Sequence, residues 1–226
     1  KTDNEAIKKL KSPMFNRSIN GLYSPGSTIK PILALSGMHN EIIESKTEYY
    51  AGPFFQLPNS NRRYRDWKPE GHGIVDLEKA IIQSCDVYFY MIANNLGIQK
   101  MTSFVKYFSI RERTGIDMPY ESSGVLPTNE WKLKNIGHEW TKGDTVITGI
   151  GQGYFLTTPI QLAYATSIIA NNGSIVIPKL NKNRNYSTYL KNQSYQKKVP
   201  QTKIQEDSTD FQHLEMKLMS LVAHRF

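Results

Sequence analysis

The chain has 226 residues, 39% of them hydrophobic and 11% aromatic, which permits a core and excludes a disordered tail. Its one cysteine, Cys85, excludes an internal disulfide framework; no apolar run of about 18 residues offers a membrane span, and residues 1–10 are no signal peptide. The net charge of +8 suggests nucleic acid until it is located: residues 179–203 hold seven basic side chains and no acidic one, so the rest of the chain is almost balanced.

Along the chain, residues 4–11 carry a short helical pattern. Tyr23-Ser24-Pro25-Gly26 is turn chemistry. Residues 27–38 read as a helix, with Ser27 as cap or first-turn residue and Pro31 where a missing N–H costs little. Residues 39–75 read as irregular, with a basic cluster at Arg62, Arg63 and Arg65. Residues 76–84 read as a helix capped by Asp76, and residues 87–95 as a second one ended by Gly97. Residues 100–108 are a third helical pattern, and 115–140 are loop-rich. Residues 158–171 read as another helix with Pro159 near its start. Residues 179–210 are poor in hydrophobics and read as a basic, mobile insertion, and 215–224 as a last apolar helix. Strand signals are few, 174–177 being the clearest.

Four groups could carry chemistry. In Ser27-Thr28-Ile29-Lys30, the serine and lysine share a helix face at i and i+3. A serine nucleophile needs a base, and a lysine serves only if burial or positive neighbours lower its pKa. A bare Ser-x-x-Lys arises by chance roughly once in a chain this long, so a capping serine beside a surface lysine is the bland alternative. Ser84-Cys85-Asp86 lies between two helices, where Ser84 could relay protons or simply cap. Gly149-Ile150-Gly151-Gln152-Gly153 demands special backbone geometry or close approach, but its spacing is no dinucleotide fingerprint. Asp66, His72 and Cys85 are all zinc-competent, yet each alone has an ordinary structural reading. No Ser-His-Asp or Gly-x-Ser-x-Gly signature occurs. The Arg62–Arg65 cluster lacks any nucleic-acid motif around it, so no nucleic-acid partner is expected.

Together these motifs resemble class B penicillin-binding proteins. Tyr23-Ser24-Pro25-Gly26-Ser27-Thr28-Ile29-Lys30-Pro31 is similar to the active-site serine region of that family. Arg63-Tyr64-Arg65-Asp66-Trp67, Gly71-His72-Gly73, Ser84-Cys85-Asp86-Val87-Tyr88-Phe89-Tyr90, Pro127-Thr128-Asn129-Glu130-Trp131 and Gly143-Asp144-Thr145 resemble the penicillin-binding protein 2 subgroup in particular. So does the stretch from Gly149 through Gln161. The likeness covers about residues 12–178, with its motifs in the family's order.

The resemblance implies an α/β (α+β) fold of the serine β-lactamase and penicillin-binding-protein transpeptidase type. This chain is its mainly helical part with few strands, one domain over residues 1–226 that is incomplete at both ends. It implies a peptidoglycan D,D-transpeptidase of cell-wall elongation. Ser27 is then the nucleophile, Lys30 the general base, Ser84 the proton shuttle, and Asp86 holds the third position of the Ser-x-Asn motif. The Ser27 N–H supplies half of the oxyanion hole, and Gly26, Gln152 and Gly153 bind substrate. The family's Lys-Ser/Thr-Gly motif is absent from the sequence, which puts the activity of this piece alone in question. Some members of the subgroup hold zinc on two Asp, a His and this Cys. Asp66, His72 and Cys85 match three of those positions, and the fourth falls at Ala51, so the implied zinc is structural and short of one protein ligand. Implied partners are peptidoglycan stem peptides, β-lactams, and the scaffold and glycan polymerase of the elongation machinery. The implied location is the bacterial cytoplasmic (inner) membrane, with the catalytic domain in the periplasm and the anchor outside this chain. The alternatives are a β-lactamase or D,D-carboxypeptidase of the same fold, or a non-catalytic fragment that binds an elongation partner.

Overall fold

The structure, a computed structural model, describes residues 14–171 and 173–181. The helices expected at residues 4–11 and 215–224, and the expected basic insertion beyond residue 181, lie outside the described residues.

The described residues open with a single turn, α1 (Arg17–Asn20), in which the Ser18 N–H donates to the Asn16 side chain. Tyr23 then pairs with Thr157 in an antiparallel bridge. The expected helix over residues 27–38 is two elements, a 3₁₀ turn at Gly26–Ile29 and α2 at Lys30–His39. Pro31 sits in the first turn of α2, where its missing N–H has no intrahelical partner to lose. Ser27 caps neither element. It lies inside the turn, not at an extended flanking position, and the local bond belongs to Thr28, whose hydroxyl donates to the Pro25 carbonyl at 2.6 Å.

Residues 39–75, expected to be irregular, hold four three-residue strands. β1 (Tyr49–Ala51) pairs antiparallel with β4 (Gly73–Val75), and between them β2 (Phe54–Gln56) pairs with β3 (Arg63–Arg65). The pairs are nested, so the outer one brings His72 beside Ala51 through a 2.8 Å backbone bond. The arginines of the hairpin lie over its own rings, Arg63 4.7 Å from the Phe54 centroid and Arg62 5.0 Å from that of Tyr64.

α3 (Leu77–Ile82) starts where Asp76 accepts the N–H of Lys79 at 2.8 Å, as its cap position predicts. Then comes α4 (Asp86–Val105), broken at Gly97, where φ 73° and ψ 160° leave helical space. The two helical patterns expected at 87–95 and 100–108 correspond to the two segments of α4 on either side of that break, the second finished by a 3₁₀ turn at Lys106–Phe108. α4 is the axis of the core, packed on α2 and on α6 (Lys142–Thr148). Tyr88 and Phe89 are wholly buried, and burying such a ring contributes about 1.5–3 kcal/mol. The Tyr88 hydroxyl is satisfied by the Thr47 carbonyl at 2.9 Å.

The stretch at 115–140 is not all loop: it contains α5 (Asn129–Ile136), capped by Thr128. α6 begins with a capping box between Thr141 and Asp144. α7 (Pro159–Ala170) begins with a second box, Thr158 with Gln161. Residues 174–177, the clearest strand signal, do not form a strand.

Candidate active site

Ser27 stands exposed on the 3₁₀ turn, while Lys30, one turn on, is only 2% exposed. The chain thus places a hydroxyl at the surface and an ammonium beneath it. Ser84 joins them: its Oγ donates to Ser27 Oγ at 3.0 Å and accepts from Lys30 Nζ at 3.1 Å. Ser84 sits at the α3–α4 junction with φ 51°, a left-handed value that few non-glycine residues adopt. That twist turns its hydroxyl toward Ser27.

Lys30 is held at further points. Its Nζ donates to the Ser84 carbonyl at 2.8 Å and to Asp86 Oδ1 at 2.6 Å, and lies 5.3 Å from the centre of the Phe89 ring. Burial pushes its pKa below the ordinary lysine value, and the Asp86 carboxylate pulls the other way without cancelling the effect. Ser27, Lys30, Ser84 and Asp86, separate in sequence, are therefore linked in space as one hydrogen-bonded chain. The sharing of a helix face by Ser27 and Lys30 is not what couples them, because Ser84 stands between their polar atoms.

The glycine strip at 149–153 lies against the serine turn. Gly26, at φ 58°, donates its N–H to the Gly151 carbonyl at 2.9 Å. A Cβ on Gly151 would collide with the Gly26 carbonyl oxygen, so the approach requires glycine there. Gly149 is likewise pressed against Ala93 of α4. Gln152 and Gly153 are exposed beside this contact. The residue of the strip that actually touches the serine turn is Gly151, which sequence reasoning did not single out.

Asp66, His72 and Cys85 come together as well. Their donor atoms all lie within 4.8 Å of one another, and all three residues are buried. His72 Nε2 is 2.9 Å from Asp66 Oδ1, and Cys85 Sγ is 3.6 Å from Asp66 Oδ2. The other imidazole nitrogen is 2.7 Å from Gln83 Oε1, which orients the ring. Burial opposes ionisation of Asp66, but hydrogen bonds from the Val87 and Lys68 N–H groups and from His72 outweigh it and hold the carboxyl below the usual range. Burial pushes the Cys85 thiol up to about 12. Ala51 is buried next to His72 and offers no side-chain donor.

Trp67 was also missed as an individual residue. Its indole N–H donates to the carbonyls of Gln83 at 3.0 Å and Ser84 at 3.2 Å. The Ser84 carbonyl is thereby gripped by both Trp67 and Lys30. The hint in the sequence was its place at the end of the Arg63-Tyr64-Arg65-Asp66-Trp67 motif.

The profile of the penicillin binding protein transpeptidase domain matches residues 1–225. Over 166 residues the chain is 48% identical to the peptidoglycan D,D-transpeptidase MrdA of Acinetobacter baumannii, covering 74% of this chain and 25% of that protein. It is 42% identical over 176 residues to MrdA of Haemophilus influenzae, with 78% and 27% covered. The chain thus spans about a quarter of the length of these curated relatives. Its structure is similar to PBP2 of Pseudomonas aeruginosa, with TM-score 0.75 and 40% identity over 79% of this chain and 39% of that one. It is also similar to PBP2 of Helicobacter pylori, with TM-score 0.76 and 34% identity over 98% and 39%. The fold agrees with that of these relatives, and the chain belongs to the penicillin binding protein transpeptidase domain family.

Proposed function

We propose that this chain carries the nucleophile half of a peptidoglycan D,D-transpeptidase of cell-wall elongation. The supporting observation is the relay from the exposed Ser27 through Ser84 to the buried Lys30. With Lys30 charged, the donors run from Lys30 to Ser84 to Ser27. Once Lys30 is neutral, both hydroxyls can turn over, and the proton of Ser27 can pass through Ser84 to the amine. Ser27 Oγ then attacks the carbonyl between the last two D-alanines of a stem peptide. The ester bond forms, the amide C–N bond breaks, and the leaving D-alanine amine takes up the proton held on Lys30. A neighbouring peptide amine next attacks the ester and frees Ser27. A β-lactam acylates the same hydroxyl.

In this reading Asp86 holds Lys30 in place between turns of the relay, and Trp67 with Lys30 fixes the backbone of Ser84. The Ser27 N–H serves the oxyanion, and Gly26, Gln152 and Gly153 flank the substrate peptide. Asp66, His72 and Cys85 fit a zinc ion by donor type and mutual distance. The metal would supply a structural tie between the β-strands and the base of α4. Cys85 must lose its proton to bind, so affinity rises with pH. Elemental analysis should find zinc in the full-length protein and markedly less in Cys85→Ser; equal zinc in both would place the metal elsewhere.

The partners are stem peptides and, within the elongation machinery, a scaffold and a glycan polymerase. PBP2 of Helicobacter pylori has been solved with MreC, and a more distant relative within a peptidoglycan synthase complex. The site of action is the outer face of the cytoplasmic membrane. No helix among the described residues is long and apolar enough to cross a membrane. The test is labelling of the full-length protein by a fluorescent penicillin: Ser27→Ala should lose it, and retained labelling would sink the choice of nucleophile.

A further inference from the structure

Lys132 is a buried lysine that the relay does not use. It lies on α5 with its side chain 7% exposed, paired at 2.6 Å to Asp144 Oδ2, whose side chain is 19% exposed. Its Nζ also donates to the Glu139 carbonyl at 2.9 Å and lies 5.9 Å from the Trp140 ring centre and 5.7 Å from that of Tyr154. Taking an ammonium out of water is costly, and only a well-made set of partners offsets it. Here the partners sit on both sides of the glycine strip.

Asp144 lies upstream of the strip. Its Oδ2 accepts from Lys132, from Thr141 Oγ1 at 2.6 Å and from the Thr141 N–H at 2.8 Å, so it both closes the capping box of α6 and anchors the start of that helix. The helix is short and runs directly into Gly149. Its first turn is also fixed by close approach, since a Cβ on Gly143 would meet the Tyr64 hydroxyl. Tyr154 lies downstream of the strip, its ring 5.5 Å from that of Trp131, one residue before Lys132 on α5. One ammonium thus holds the chain at the entry and at the exit of residues 149–153. Between them, Gly151 accepts the Gly26 N–H, one residue before Ser27. A shift of the strip is transmitted to the nucleophile's own turn.

We propose that Lys132 is a positioning residue for acylation: by pinning Asp144 and Tyr154 it fixes the glycine strip against Gly26 and so sets the attack position of Ser27. This rests on the reading of Ser27 as the nucleophile. Small displacements of a reacting group are expensive, about 100-fold for 1 Å, so partial release of the strip should slow the bond-forming step at least tenfold.

The experiment uses the full-length protein and a fluorescent penicillin, with acylation resolved into the initial binding constant and the acylation rate constant. Lys132→Met, which keeps length but removes the charge, should lower the rate constant about tenfold or more in the folded fraction. Lys132→Arg, which keeps the charge and can still reach Asp144, should recover most of it. Asp144→Asn should cost less in the Lys132→Met background than in the parent, because the Lys132 contact is already gone and only the capping role of Asp144 is left to lose. If Lys132→Met fails to fold, Tyr154→Leu replaces it: the ring is half-buried, and a several-fold slower rate constant with unchanged binding is expected. Parent rate constants in the folded Lys132→Met protein, or in Tyr154→Leu, overturn the inference. So does a loss in Lys132→Met that Lys132→Arg does not relieve. Labelling that survives Ser27→Ala instead overturns the underlying reading, which separates the two failures.

Discussion

Lys30 answers two opposed demands. In the proposed role of base it must lose its proton readily, and burial at 2% exposure favours that. As an anchor it must hold Ser84 and Asp86, which favours the charged form. Burial wins, and the pKa lies below the ordinary value of 10.5. Acylation by a β-lactam should therefore rise with pH as the neutral amine appears, with its midpoint below the ordinary lysine value of 10.5. Asp86 works against burial, so its removal must lower the Lys30 pKa further. In Asp86→Asn the inflection of the pH–rate profile should move to lower pH; a move to higher pH, or none, would contradict the assignment of Lys30 as base. Ser27 and Lys30 were visible in the sequence as a four-residue motif, but at chance level. Ser84 lies 57 residues from Ser27, so no local spacing could link the two. Gly151 was read only as one of a glycine strip needing close approach and Trp67 only as part of a motif, because the part of the first is played by a backbone carbonyl and the indole of the second grips main-chain oxygens. Contacts of that kind leave only a faint mark on residue type.

At the level of elements, the long apolar helices α2, α4 and α7 could be read from their patterning and their prolines, since the core needs their apolar side chains. The four strands could not. Each has three residues, too few for alternation to show, and the outer pair closes across a long loop. α5 lacks an apolar stripe because its one buried residue is Lys132, so only Thr128 before it and Gly137 after it mark its ends. α6 was not expected from the sequence, although the Thr141–Asp144 pair that boxes its start is a pattern of the right kind. Gly97 was read as a helix stop, and the backbone does leave helical space there, dividing α4 into two segments. Its φ of 73° with ψ of 160° is a region nearly closed to other residues, while a methyl group there would meet open space. Gly97→Ala should thus lower stability by about 1–3 kcal/mol through the backbone alone. Chemical denaturation measures that loss, and the rate of penicillin acylation in the folded fraction should stay at the parent value. A drop in that rate would mean that the kink also serves the site.

For the molecule as a whole, the +8 charge proved to be a property of one segment, and the body it leaves behind is nearly neutral. The described part of that body is a helical core on α4, with the Ser27 turn packed against the glycine strip and Lys132 of α5 paired with Asp144. Fold and family were legible because separate short motifs stand in a fixed order, each where a backbone is pressed close or a polar group is buried. The strand pairing within 39–75 was not, because it depends on partners distant in sequence. The claim that unites these features is that Ser27 is the acylated residue. Treating the full-length protein with benzylpenicillin, followed by intact mass and peptide mapping, tests it most directly. The account predicts one penicilloyl adduct, on the peptide containing Ser27, and none in Ser27→Ala. An adduct on any other residue, or a stable protein that forms none, would contradict it.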